Sequence, residues 1–125
     1  MDYQIREANI NDSLILDELL TDLIQDERKY DESINEDFKV NDYYKNYLKN
    51  NKLVYVAVNN NNIVGFIDGE IINDPTSYKN ARIKALFVKE EYRNNGIASS
   101  LINKLMDIFK ENNCYKVEIS VLTEN

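Results

Sequence analysis

Leu86-Phe87-Val88-Lys89-Glu90-Glu91-Tyr92-Arg93-Asn94-Asn95-Gly96-Ile97-Ala98-Ser99 is the stretch on which the reading of this chain turns. Its first residues close a β-rich run at 81–88. A short polar loop follows, and a glycine followed by small residues opens a long helix. The first amides of a helix have no intrahelical acceptor, and the macrodipole makes that end electropositive. Gly96 and Ala98 put little bulk between backbone and ligand, so the segment suits a phosphate or pyrophosphate. Taken alone, Arg93-x-x-Gly96-x-Ala98 equally describes a plain helix start whose glycine permits a tight turn. It is not a Walker A loop, which requires Gly-Lys-Ser/Thr, nor a Rossmann loop with its three spaced glycines.

Downstream, Ile97, Leu101, Ile102, Leu105, Met106 and Phe109 recur at helical spacing, and Asn112-Asn113 suit a left-handed stop. Tyr115 to Val121 alternates as a last strand. Upstream, Leu53 to Val58 and Ile63 to Ile67 flank Asn59-Asn60-Asn61-Asn62, a hairpin signature. Tyr3 to Arg6 suits a short first strand. Asn11 or Asp12 then caps a helix carrying Leu16, Leu19, Leu20, Leu23 and Ile24 on one stripe. A second helix is expected at 39–49, with Val40, Tyr43, Tyr44, Tyr47 and Leu48. The predicted order is β-α-α-β-β-β-α-β in a single domain spanning 1–125, an α/β chain with a mixed sheet and one crossover at 81–121.

Composition sets the chemical limits. The 125 residues contain no histidine and one cysteine, with a net charge of −7. Without histidine there is no Ser-His or Cys-His dyad and no histidine-ligated zinc, and no metal site is expected. Cys114 alone forms no internal disulfide, which fits a reducing cytoplasm, and is expected to be a packed thiol. No apolar run approaches the roughly 18 residues of a membrane span, and the N-terminus lacks a signal-peptide layout. The first 50 residues carry 13 Asp/Glu against 6 Lys/Arg, whereas the remainder carries 9 of each. That balance disfavours nucleic acid and anionic membranes as partners. The acidic half is either a solvated surface or a wall that attracts a cationic substrate.

The 86–99 segment resembles motif A of the GNAT family of N-acetyltransferases, Arg/Gln-x-x-Gly-x-Gly/Ala after the fourth strand. The resemblance extends to Ile5-Arg6-Glu7-Ala8 with Asp12, to Val64-Gly65-Phe66, and to the acidic-Tyr-Arg loop Glu90-Glu91-Tyr92-Arg93. It implies an acyl-CoA N-acyltransferase fold that moves acetyl from acetyl-CoA to a primary amine by direct attack. The pyrophosphate would rest on the loop and helix start (Arg93, Asn94, Asn95, Gly96, Ile97, Ala98 and Ser99). The pantetheine arm would lie along Leu86, Phe87 and Val88, where a backbone N–H polarises the thioester carbonyl. Asn125 would touch the cofactor.

An amine nucleophile must lose a proton, and many relatives keep an acid on the fourth strand for this. Here that region offers Arg82, Lys84 and Ala85, which leaves Glu70, then Asp68, as candidate bases. Asn94 and Asn95 stand where many relatives have Arg, Lys or Gly, shifting the expected pyrophosphate contacts to backbone amides. Tyr30 is a candidate for the acceptor pocket, with the core as its other assignment. The expected acceptor is a cationic small-molecule or protein amine.

In relatives a further helix and two strands follow the fifth strand, usually with a tyrosine that protonates the departing thiolate. The chain ends at Asn125, so the resemblance predicts an exposed strand bearing Val117, Ile119 and Val121. Either it pairs two copies as a homodimer, or the chain is a shortened form with impaired turnover. The alternative function is a non-catalytic CoA-binding or protein-interaction module.

Overall fold

The computed structural model describes residues 1–50, 52–73, 75 and 78–122. Five strands form one sheet in the order β1-β2-β3-β4-β5. They are β1 (Gln4–Glu7), β2 (Leu53–Asn59), β3 (Asn62–Ile72), β4 (Asn80–Val88) and β5 (Lys116–Leu122). The first three ladders are antiparallel, and β4 pairs in parallel with β5 through the crossover helix. The helices are α1 (Ser13–Glu27), α2 (Tyr43–Lys49) and α3 (Ile97–Glu111). The predicted element order is the observed one.

The sheet divides the core in two. Against one face, α3 presents Ile97, Leu101, Leu105 and Phe109, all buried on Ala57, Val64, Ile67, Ala81, Ile83 and Val88. An i, i+4 stripe of this kind is what a helix lying flat on a sheet requires. Helix and sheet approach closely at Gly69, where an added Cβ would lie 2.7 Å from the Arg82 carbonyl oxygen and 2.9 Å from Leu105 Cδ1. On the other face, Leu16, Leu19, Leu20 and Leu23 of α1 join Tyr44 and Tyr47 of α2 over Val54, Val56, Phe66 and Phe87.

Asn60 and Asn61 take positive φ between β2 and β3, as a two-residue hairpin turn demands. Three expectations are refined. Asp12 stands at the N-cap position of α1, as expected, but makes no side-chain bond to its amides; the capping box lies one turn earlier, where Asn9 accepts from the Asn11 amide and Asp12 from the Asn9 amide, opening a short 3-10 turn. Helix α2 begins at Tyr43 rather than 39, because Asp42 is left-handed (φ 57°) and breaks the run. Val40 is held outside it, its amide donating to Thr21 Oγ1 at 2.9 Å. Strand β3 continues past Ile67 to Ile72, carrying Asp68 and Glu70 within the sheet.

Candidate active site

At the end of β4 the chain turns through Glu90–Tyr92 into α3. Asn94 and Gly96 both adopt left-handed backbone, at φ 66° and 80°. The first intrahelical bond runs from the Ser100 amide to the Gly96 carbonyl at 3.0 Å, so the Ile97, Ala98 and Ser99 amides precede the helical ladder. A Cβ on Gly96 would meet nothing nearer than the Tyr3 hydroxyl at 3.8 Å, so the glycine leaves open space above these amides. A cavity of about 300 Å³ lies there, lined by Val88, Tyr92, Arg93, Asn94 and Gly96 to Ser99. Tyr3 braces the turn from β1, its hydroxyl 2.7 Å from Ser100 Oγ.

Most of the residues expected to seat a cofactor therefore meet around one opening. Arg93 borders it, but its guanidinium is engaged behind the loop. Nε donates to the Val88 carbonyl at 2.8 Å, Nη2 lies 3.5 Å from Asp26, and the group sits over the Phe87 ring. Asn95 donates to the Tyr92 and Arg93 carbonyls and so shapes the loop. Asn94 and Asn95 bring no charge, which leaves backbone amides as the main donors for an anionic group. Leu86 and Phe87 pair with Ile67 and Phe66, and the β4–β5 ladder ends at Ala85–Leu122 among the described residues. Asn125 lies outside the described residues.

Further back along β4 is a feature that the sequence did not announce. The β3–β4 register runs from Asp68↔Ala85 to Gly69↔Ile83, and the β4–β5 register also skips Lys84. Lys84 is thus the bulged residue against β3, while the irregularity against β5 places the extra residue on β5. In a regular strand neighbouring side chains face opposite ways, yet Lys84 and Ala85 line the same cavity. That cavity, about 560 Å³, lies between α1, the 38–43 segment and the β3–β4 pair. Leu20, Ile24, Phe38, Lys39, Val40, Asn41, Tyr43 and Asp68 complete its lining.

Asp68 is the cavity's one acidic residue and is 1% exposed. The Tyr44 hydroxyl donates to Oδ2, the Ala85 backbone amide lends the carboxylate weaker support, and Oδ1 has no hydrogen bond of good geometry. Burial pushes the Asp68 carboxyl up to about 6, against the pull of the Tyr44 hydroxyl and the Lys84 ammonium. Tyr44 is in turn raised well above the ordinary tyrosine range by burial and by the Asp68 charge. Lys84 Nζ sits 5.3 Å over the Tyr47 ring, while the Tyr47 hydroxyl donates to the Gly69 carbonyl at 3.0 Å.

Glu70, the first choice of base on sequence grounds, is differently placed. It accepts from Lys52 Nζ at 2.9 Å and lies 3.7 Å from Arg82 Nη1. The Lys52 contact holds its carboxyl below the usual range. A carboxylate so stabilised is a poor proton acceptor, whereas Asp68 has both the raised affinity and a free oxygen. Tyr30, 81% exposed, lines neither cavity and lies outside the core, which corrects its alternative assignment there. The first-half acids also lie elsewhere: Asp22 and Asp26 border a separate groove with Glu90 and Glu91. Cys114 is half-buried, its thiol pushed up by burial. On β5, Val117 is partly buried and Ile119 is 64% exposed. No cluster of three metal-ligating side chains occurs among the described residues, and no described helix is long and apolar enough to cross a membrane.

A five-stranded mixed sheet whose fourth strand bulges and then runs into a glycine-started helix is the α/β architecture that this chain shares with acetyltransferases of the GNAT family. The chain belongs to the acetyltransferase (GNAT) family, whose model matches residues 17–125. Among solved structures it is similar to an acetyltransferase from Vibrio fischeri, at 24% identity and a TM-score of 0.80 over 97% of this chain and 98% of that one. It is also similar to a ribosomal-protein-alanine N-acetyltransferase from Brucella melitensis biovar Abortus 2308, at 20% identity and a TM-score of 0.77 over 96% and 81% of the two chains. A predicted acetyltransferase from Clostridium acetobutylicum, solved with acetyl-CoA, matches at 24% identity and a TM-score of 0.71 over 94% and 80%. Likenesses this distant in sequence carry the fold.

Proposed function

We propose that this protein is a cytoplasmic N-acetyltransferase that moves acetyl from acetyl-CoA to a primary amine, with Asp68 rather than Glu70 receiving the amine proton. Acetyl-CoA supplies the acetyl group as a thioester. The Ile97, Ala98 and Ser99 amides and the open space above Gly96 fit its pyrophosphate, and Leu86 to Val88 fit its pantetheine arm. About three residues of strand, roughly 10 Å, separate Val88 in the first cavity from Ala85 in the second. The two cavities are thus stations along one strand.

The observation that carries this reading is the buried Asp68 carboxyl, which borders the second cavity and has one oxygen without a hydrogen-bond partner. An arriving ammonium fills that vacancy. Attack needs the neutral amine, and a carboxylate whose proton affinity is already raised takes the proton more readily than an ordinary one. The ammonium gives one proton to Asp68, the neutral amine forms the carbon–nitrogen bond as the carbon–sulfur bond breaks, and the nitrogen's second proton leaves with the CoA thiolate as the free thiol.

The test is thiol release from acetyl-CoA with an amine panel, followed across pH. The ionised Asp68 is the active form, so kcat/KM should fall as pH drops through about 6. Asp68→Asn should lower kcat on the order of 100-fold or more, in the range of a lost general base, and abolish that limb. A normal rate and profile in Asp68→Asn would overturn the assignment, and loss of the limb in Glu70→Gln alone would return the role to Glu70.

A further inference from the structure

Taking the second cavity as the acceptor pocket, we infer that its substrate is a primary monoamine carried on an apolar or aromatic body, rather than a polyamine or a polyhydroxylated aminosugar. The cavity is walled by Leu20, Ile24, Phe38, Val40, Tyr43 and Ala85, so a bound molecule lies mostly against hydrocarbon and aromatic rings. Tyr43 stacks on Tyr47 with ring centroids 5.6 Å apart and 28° between planes, which presents a fixed aromatic surface. Among the uncharged side chains of the lining only Asn41 and Tyr43 carry a polar group, so most hydroxyl or amide groups on a polyhydroxylated body would lose water there without gaining partners.

Charge narrows the class further. Asp68 is the single anionic group in the lining, and one oxygen of its carboxylate is already used by Tyr44. The carboxylate carries one negative charge, which balances one ammonium. The other charged groups in the lining, Lys39 and Lys84, are cationic. A second ammonium on the substrate would therefore meet like charge instead of a counter-ion. Asp17, Glu18 and Asp22 border an adjoining cavity that shares Lys39, Val40 and Asn41 with this one, and Asp26 borders a separate groove, so none of these acids is in the lining itself.

The inference depends on the acetyltransferase reading only in naming the cavity's occupant, and binding separates the two. Affinities of 2-phenylethylamine, spermidine and kanamycin are measured by calorimetry on the full chain, and each amine is then assayed for acetyl transfer. 2-Phenylethylamine is expected to bind at least tenfold more tightly than spermidine or kanamycin. Val40→Glu should weaken it about tenfold or more, and Lys39→Glu should narrow the gap by improving spermidine. Equal or tighter binding of spermidine or kanamycin to the unaltered protein overturns the inference, as does an unchanged 2-phenylethylamine affinity in Val40→Glu. The expected binding order without acetylation of any amine upholds the pocket's preference and overturns the reading as an acetyltransferase.

Discussion

The two faces of the sheet are built on different terms. The α3 face is uniformly apolar: one helix, one stripe and a glycine that lets helix and sheet touch. The α1–α2 face admits charge. Asp17 is buried and accepts from the Tyr44 amide at 3.0 Å, and Asp68 is buried beside the Tyr44 ring with one oxygen unsatisfied. Apolar packing stabilises the fold without assigning it any chemistry, whereas a buried carboxylate costs stability and gains reactivity. This molecule keeps the two separate, with β3 and β4 between them.

The contrast can be broken on the α3 side first. Phe109→Ala should cost about 3–5 kcal/mol, the usual range for emptying a fully buried aromatic site, read as a lower denaturant midpoint. A loss near zero would show that the α3 face is not where the stability resides. The helix start is next. Gly96→Glu forces a side chain into left-handed backbone and puts negative charge where an anion is to bind. Acetyl-CoA affinity should fall at least about 100-fold, equivalent to ~2.7 kcal/mol, while amine binding persists.

On the opposite face the effect changes sign. Asp68 holds its proton more tightly folded than unfolded, so the native state binds more protons and stability declines as pH rises from about 4 through about 6. The decline attributable to Asp68 should be on the order of 3 kcal/mol and vanish in Asp68→Asn, by denaturation at pH 4 and pH 7. A pH-independent difference between the two proteins would mean that the carboxyl titrates normally.

The smallest effect sharpens the comparison. Arg6 grips Asp12 through two bonds, 2.8 and 3.1 Å, and holds that carboxyl below its ordinary range. Its contribution is present above pH 4 and lost as pH falls, opposite in direction to Asp68. Arg6→Ala should cost about 1 kcal/mol at neutral pH and less at pH 3.

These differences also explain what could be read in advance. Periodicity exposes an apolar face, so α3, the Asn60-Asn61 turn and the strand order were legible in the residues themselves. The helix-start site was legible because a backbone anion site needs only Gly96 and small neighbours in the right place. The second cavity was not, because its shape depends on a bulge at Lys84 and on left-handed Asp42, neither marked by glycine or proline. Asp68 did leave a trace, as an acid in a run that is apolar from Ile63 to Phe66 and again at Ile67 and Ile71. Only the ion pairs of Glu70 and the orphan oxygen of Asp68 distinguish the two carboxylates, and both are three-dimensional facts.

Tyr3 and Ser100 meet across 97 positions of a 125-residue chain. Closing a loop of that length costs chain entropy that the contact itself must offset. During synthesis the hydroxyl of Tyr3 waits for the far end of the polypeptide before it can brace the turn at Gly96. A chain stalled before β1 and α3 come together lacks that brace, however much of its sheet is already in place.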